Sequence, residues 1–190
     1  MPEVMARVQG QLGRVRGFTL VELMAVVVIM GILATIGLTS FIGQMRQART
    51  GEVRATIAAI AAAQERFRAE NLQYFNVSSS LTSYYPTTTP GERTYNFTGF
   101  SSGNNADRWN RLRPQVPVPV RFGYACVAGL PTGNSSYGPT LALSGSVTWP
   151  VAVSPWYVIQ AIGDQDGDGV QAVAVATSFS NVISWEHEDE

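Results

Sequence analysis

From Phe18 to Gly43 the chain runs for 26 residues whose only charge is Glu22. As an α-helix rising 1.5 Å per residue this run is about 39 Å long, more than the roughly 30 Å of a bilayer's hydrocarbon core. Lipid offers no partner to backbone N–H and C=O groups, so a segment of this kind is predicted to be one helix that satisfies its own hydrogen bonds. Arg7, Arg14 and Arg16 precede it against a single acid, Glu3, which predicts a cytoplasmic leader and an external remainder. A cleaved secretory signal would carry its apolar region before the cleavage site, whereas here the apolar region follows the basic cluster. Gly31, Gly37 and Gly43 make the helix weaker than an all-leucine span. The acid is the anomaly. Read as an ordinary signal anchor, the chain simply tolerates Glu22 near the interface, because charges are costly mainly at the centre of a span.

The rest of the composition narrows the chemistry. With 190 residues there is room for one domain with a real core plus an anchor. All thirteen basic residues are arginine, which excludes lysine Schiff-base chemistry and the usual lysine-bearing phosphate loop. A lone cysteine, Cys126, excludes an internal disulfide and a four-cysteine metal site. The net charge of -1 carries no general signal for nucleic acid or an anionic membrane surface.

The stretch "RGFTLVELM", followed by about twenty apolar residues, closely resembles the N-terminus of prepilins of the type IV pilin and type II secretion pseudopilin superfamily, from Arg16 to about Ser40. The resemblance implies that a prepilin peptidase cuts after Gly17 and methylates the new amine, leaving N-methylphenylalanine at Phe18. It also implies a role for the acid. The cut creates a positive amine near the apolar phase, and a carboxylate and an ammonium in low dielectric cost much less together than apart. Glu22 could answer the Phe18 amine within one helix or on a neighbouring subunit, and the family favours the neighbour. One departure stands out: many members have a proline at the place of Thr39, and here Gly37, Thr39, Ser40 and Gly43 are the residues available to loosen the helix.

Beyond Gly43 the composition turns to Ala, Arg, Glu and Gln, all good helix formers, and Val53, Ile57, Ile60 and Phe67 recur at helical spacing beside Ala61 and Ala63. One helix from Phe18 to about Asn71, roughly 80 Å long, is predicted. The remainder reads as strands and loops: an alternating, half-buried strand in "VPVRFGYACV" with Val118, Val120, Phe122, Tyr124 and Cys126 on its apolar side, and further strands at 156–162, 170–176 and 179–185. Residues 78–92 show no core periodicity. The expected fold class is therefore α+β, and the resemblance makes it the type IV pilin fold, a long N-terminal helix packed on a C-terminal antiparallel sheet. The expected division is a leader at 1–17, a membrane and filament-core helix at 18–43, its amphipathic continuation at 44–72 and a β-rich head at 73–190.

Outside the N-terminus the sharpest motif is "GDQDGDG" at 163–169. Asp164, Asp166 and Asp168 match the opening of a calcium loop, but an EF-hand needs a glutamate where Val175 stands, and the flanks look like strands. Two readings stay open, a polar Asp/Gly turn between strands and a calcium site of another kind; the resemblance supports both. No other cofactor is expected. "DRWNRLR" at 107–113 sets Arg108, Arg111 and Arg113 around Trp109, a pattern able to meet phosphates. After Gly17, however, ten arginines face thirteen acids, so a solvated loop with one packed Trp is expected and nucleic acid is not an expected partner. His187 is read as part of a solvated acidic tail and Cys126 as a small buried hydrophobe. With its one histidine in that tail, no Ser-His-acid triad is expected and the chain is not expected to be an enzyme.

Three functions compete. The first is a major or minor type IV pilus subunit serving adhesion, twitching motility or DNA uptake, which the long loops between about 78 and 150 favour. The second is a type II secretion pseudopilin, to which the Asp-rich turn lends weight, and the third a monomeric signal-anchored module. For the first two the resemblance implies other pilin subunits, prepilin peptidase, assembly machinery and, before assembly, the inner membrane as partners, with the head periplasmic. The assembled form would be an extracellular pilus or a periplasmic pseudopilus.

Overall fold

A computed structural model describes residues 17–91, 93–97, 104–116, 119–134, 138–145, 147–165 and 167–188. The chain divides into two compact units, Met1–Gly43 and Gln44–Glu190. The helix α1, Leu20–Asn71, supplies all but residues 17–19 of the described part of the first unit and continues into the second. Backbone helix continues unbroken through Gly37, Thr39, Ser40 and Gly43; the surroundings of Thr39, Ser40 and Gly43 lie outside what is described.

In the second unit α1 turns an apolar stripe inward. Val53, Ile57, Ile60 and Ala63 are buried, as their spacing predicts, and Phe67 is half-buried. They meet a four-stranded antiparallel sheet of order β1-β2-β3-β4, with β1 at Gly123–Gly129, β2 at Trp156–Gly163, β3 at Ala172–Thr177 and β4 at Ser180–Glu186. The register places Cys126 opposite Ile159 and Ile159 opposite Ala176 on the helix-facing side. On β3 that side carries only Ala172, Ala174 and Ala176. Small side chains there let the helix backbone approach, while Val173 and Val175 face the other way.

Two expectations need correction. The first strand is not half-buried. It starts at Gly123, is covered on both faces, and Val118 lies outside the described residues; Val120 reaches only an isolated bridge to Tyr95. Both faces are dry because the segment after β1 folds back: Leu141, Leu143, Trp149 and Ala152 pack on the side away from α1, against Val158, Ile162, Val173 and Val175. Second, residues 107–113 are not a loop. They lie mostly in a helix, α2, Asn104–Leu112, whose Ala106, Trp109 and Leu112 fall three apart and are buried together. The expected packing of Trp109 holds. The polar stretch 78–92 also contributes more than a loop, since Leu81 and Tyr85 are buried and Tyr85 pairs with Tyr124 across the outer edge of β1.

One buried residue of α1 escapes any apolar count. Gln64 is fully buried; its Nε2 donates to Phe75 O at 2.8 Å and to Cys126 Sγ at 3.1 Å, and its Oε1 accepts from Phe75 N at 2.9 Å. It thereby holds the chain where it leaves the helix. Gln64→Leu strands both backbone groups of Phe75, and a loss of about 1–3 kcal/mol in denaturant unfolding is expected; an unchanged midpoint would refute that role.

Candidate assembly and processing site

Residues 17–19 are non-helical and exposed, and Phe18 is 80% exposed. The Gly17–Phe18 bond therefore lies outside the helix, between two exposed residues. Thr19 stands just before the helix, and Glu22 N donates to its Oγ1 at 3.2 Å. This Thr-x-x-Glu spacing is that of a capping box, of which the Thr19 half is formed, and it sets the acid in the first turn, where the helix dipole favours negative charge. The sequence reading missed the cap although the signature was there to be read. From Leu20 to Leu38 the helix is long and apolar enough to cross a membrane and no part of that stretch is buried in the structure. So many exposed Leu, Ile, Val and Met side chains call for lipid or other helices, each large one contributing about 1.5–3 kcal/mol when covered.

The Asp-rich turn joins β2 to β3. Asp164 accepts from Gly167 N at 2.7 Å and Gly169 N at 3.1 Å, one with each carboxylate oxygen, and Asp168 accepts from Val170 N at 2.7 Å. Gly167 and Gly169 have φ of 80° and 92°, conformations that a side chain would strain. The turn is thus held by its own carboxylates. From α1, Arg49 Nη1 donates to Gln165 O at 2.9 Å, a clamp with no sequence signature. Asp166 lies outside the described residues, and among the described residues no three of His, Cys, Asp and Glu converge to hold a metal.

The other candidates lie elsewhere in the second unit. Arg66 Nη2 caps the end of α2 through Leu112 O at 2.8 Å and Arg113 O at 3.1 Å, and Arg111 lies over the Phe75 ring at 5.4 Å. His187 is exposed, but the tail around it is tied down: Glu188 pairs with Arg54 at 2.5 Å, and Glu186 accepts from Ser144 N at 2.6 Å and from Ser144 Oγ. The Ser144 hydrogen bonds hold the Glu186 carboxyl below its usual range.

Cys126 is fully buried, and burial pushes its thiol from 9.0 up to about 12, against a smaller pull from the Gln64 hydrogen bond. Tyr124 and Tyr157 are raised above 10.0, chiefly by burial. The sign follows from linkage. These groups stay protonated in the fold, so their share of stability is complete below the unfolded values and is lost as pH rises from about 9 toward the folded ones. The native thiol is therefore expected to resist alkylation at pH 8 and to react on unfolding; rapid native labelling would refute the burial.

The comparisons with known proteins come from both parts of the chain. Residues 12–38 match the family model described as the prokaryotic N-terminal methylation motif. A type II secretion system core protein G of Pseudomonas aeruginosa is 34% identical over 95 residues, covering 49% of this chain and 67% of that protein. The core protein G of Escherichia coli strain K12 is 32% identical over 121 residues, covering 63% and 83%. The type IV major pilin protein PilA of Myxococcus xanthus is 38% identical over 68 residues, covering 36% and 31%. No solved structure gives a significant match.

Proposed function

Because the chain belongs to the type IV pilin and type II secretion pseudopilin superfamily, we propose that it is a pseudopilin of a type II secretion system, resembling core protein G. One observation carries this choice over a type IV pilus subunit: the likeness to core protein G runs over two thirds or more of that protein's length, into the head, whereas the likeness to PilA covers 31% of PilA. The long loops between about 78 and 150, which on sequence favour a pilin, weigh less. The PilA likeness keeps the pilus subunit as the second reading.

Subunits of this superfamily assemble with other subunits, and the chain has the membrane-length helix to do so. In the proposed mechanism the peptide is cut at the exposed Gly17–Phe18 bond by prepilin peptidase, and the Phe18 amine is methylated. The subunit waits in the inner membrane with its head in the periplasm. Assembly machinery then extracts the helix from lipid, and its apolar side chains are covered by those of neighbours. Glu22 of the entering subunit meets the Phe18 amine of one already in place and sets axial register. No reaction is assigned to the chain itself. Mass spectrometry of purified filaments tests the scheme: the expected result is this chain, beginning at Phe18 and carrying one methyl group. A chain that still begins at Met1 would revive the monomeric anchored module. Loss of protein secretion with intact twitching, on deletion of the gene, separates pseudopilin from pilin.

For the Asp-rich turn the hydrogen bonds to Gly167, Gly169 and Val170 support a self-capped turn. Calcium remains a proposal that can be checked directly. A calcium-dependent rise in melting temperature that vanishes in Asp166→Ala would establish the ion; no rise at millimolar calcium leaves the turn self-sufficient.

A further inference from the structure

A cavity of about 390 Å³ opens in the head between the last turns of α1 and the end of α2. Arg66, Arg111 and Arg113 line it with one acid among the described residues, Glu70, which leaves a surplus of two positive charges; Phe67 and Leu112 supply apolar wall. Guanidinium groups gathered at one cavity repel one another. Glu70 does not offset them, since among the described residues it forms no ion pair with any of the three.

The fold is what brings these arginines together. Residues two apart on a continuing helix do not share a face. Here α2 stops at Leu112, Arg113 takes φ of 53° and Pro114 follows, and this break lets Arg111 and Arg113 line the same cavity. Arg111 lies over the Phe75 ring at 5.4 Å, and Phe75 is itself fixed by the Phe67 ring at 5.0 Å and by Gln64 through its backbone. A contact with the ring face uses none of the guanidinium's N–H donors. Basic residues are common at a helix end because they answer its last carbonyls. In α2 that task falls to Arg66, whose Nη2 donates to both Leu112 O and Arg113 O. The side chains of Arg111 and Arg113 keep all their donors, for among the described residues neither has a hydrogen-bond or carboxylate partner.

We propose that this cavity binds a small molecule bearing two negative charges on oxygen, a phosphate monoester or a dicarboxylate. Arg111 and Arg113 supply the two counter-charges, each able to give a pair of parallel N–H···O bonds. Arg66, fixed by the carbonyls it caps, adds a third cation beside them. A cavity of this volume suits a ligand of metabolite size, and Phe67 and Leu112 offer cover to its carbon skeleton. A dianion matches the surplus of two charges, whereas a monoanion leaves one unanswered.

Thermal melting of the full-length chain in detergent tests the site, with inorganic phosphate and succinate as probes and ionic strength held constant with sodium chloride. A saturable rise in melting temperature with at least one of the two dianions is expected, and none with acetate. Phosphate also stabilises folded proteins by exclusion from their surface, so variants decide. Arg113→Gly removes a guanidinium at a backbone position that suits glycine; it is expected to fold as well as wild type and to weaken binding about tenfold or more. Arg111→Gln is expected to weaken it similarly, while Arg108→Gln, on α2 but not lining the cavity, is expected to leave it unchanged. A rise confined to phosphate supports the site and assigns it to phosphate monoesters; one confined to succinate assigns it to dicarboxylates. No saturable rise with either dianion overturns the site, as does an equal rise with acetate. A rise that persists unchanged in Arg113→Gly overturns it as well.

Discussion

Trp109→Ala is expected to cost the head about 3–5 kcal/mol, the range for removing a buried aromatic side chain. Trp109 is 1% exposed, lies stacked against Tyr85 at 6.0 Å between ring centroids and meets the Phe97 ring edge-on at 5.2 Å. Phe97 in turn contacts Tyr124 of β1 at 5.7 Å. The side chain thus joins α2 and the 85–97 segment to the sheet, and its loss opens a cavity that three separate elements must fill. A domain of this size is stable by about 5–15 kcal/mol, so the change removes a large share. Trp109→Phe is expected to cost less than the alanine variant, because it leaves a smaller cavity and the buried indole N–H has no hydrogen-bond partner among the described residues to lose. Urea unfolding of the two variants checks both statements; an alanine variant within about 1 kcal/mol of wild type would mean that α2 is not part of the core.

The second large effect concerns Glu22. Glu22→Ala is expected to leave membrane insertion intact and to abolish filaments. The sequence offers a rival account, since Glu22 stands at the fourth position of a Thr-x-x-Glu run, from which its side chain could serve the helix end. Glu22→Gln separates the two, because glutamine can serve a capping box but cannot neutralise an ammonium group. If the charge is what matters, the glutamine variant assembles no better than alanine. Filaments restored by glutamine would assign Glu22 to helix capping and remove the Phe18 amine from the account. Electron microscopy of sheared filaments, with membrane fractionation as the control, reads both outcomes.

The α1 stripe was legible because burial there obeys a single periodicity: Val53, Ile57 and Ile60 face one way and nothing competes. The strands at 156–162, 170–176 and 179–185 were legible for the same reason, as short apolar runs between turn residues. Helix α2 was not, because "DRWNRLR" shows its charges first and its apolar face only when Ala106 is counted with Trp109 and Leu112. Nor was the double coverage of the sheet, since the segment that covers its second face is rich in Gly, Ser, Thr and Pro and carries its apolar residues singly. At the N-terminus the motif was read in full, yet the part played by Thr19 in seating the acid emerged only with the helix boundary.

By itself the sequence determined the anchor, the order and type of the main elements, and the family. These follow from local pattern: a long run without charge, a 3.6-residue stripe, and a processing motif read residue by residue. Only the tertiary structure decided which polar residues go inside and what they hold. Gln64 and Gln160 are fully buried; Gln160 donates to Leu81 O at 3.2 Å and Tyr84 Oη at 2.7 Å and accepts from Ala142 N at 2.8 Å. Arg49 likewise reaches the backbone of a turn 116 residues away. Partners so distant in sequence leave no local period, because a buried amide is stable only where the fold brings it a donor and an acceptor.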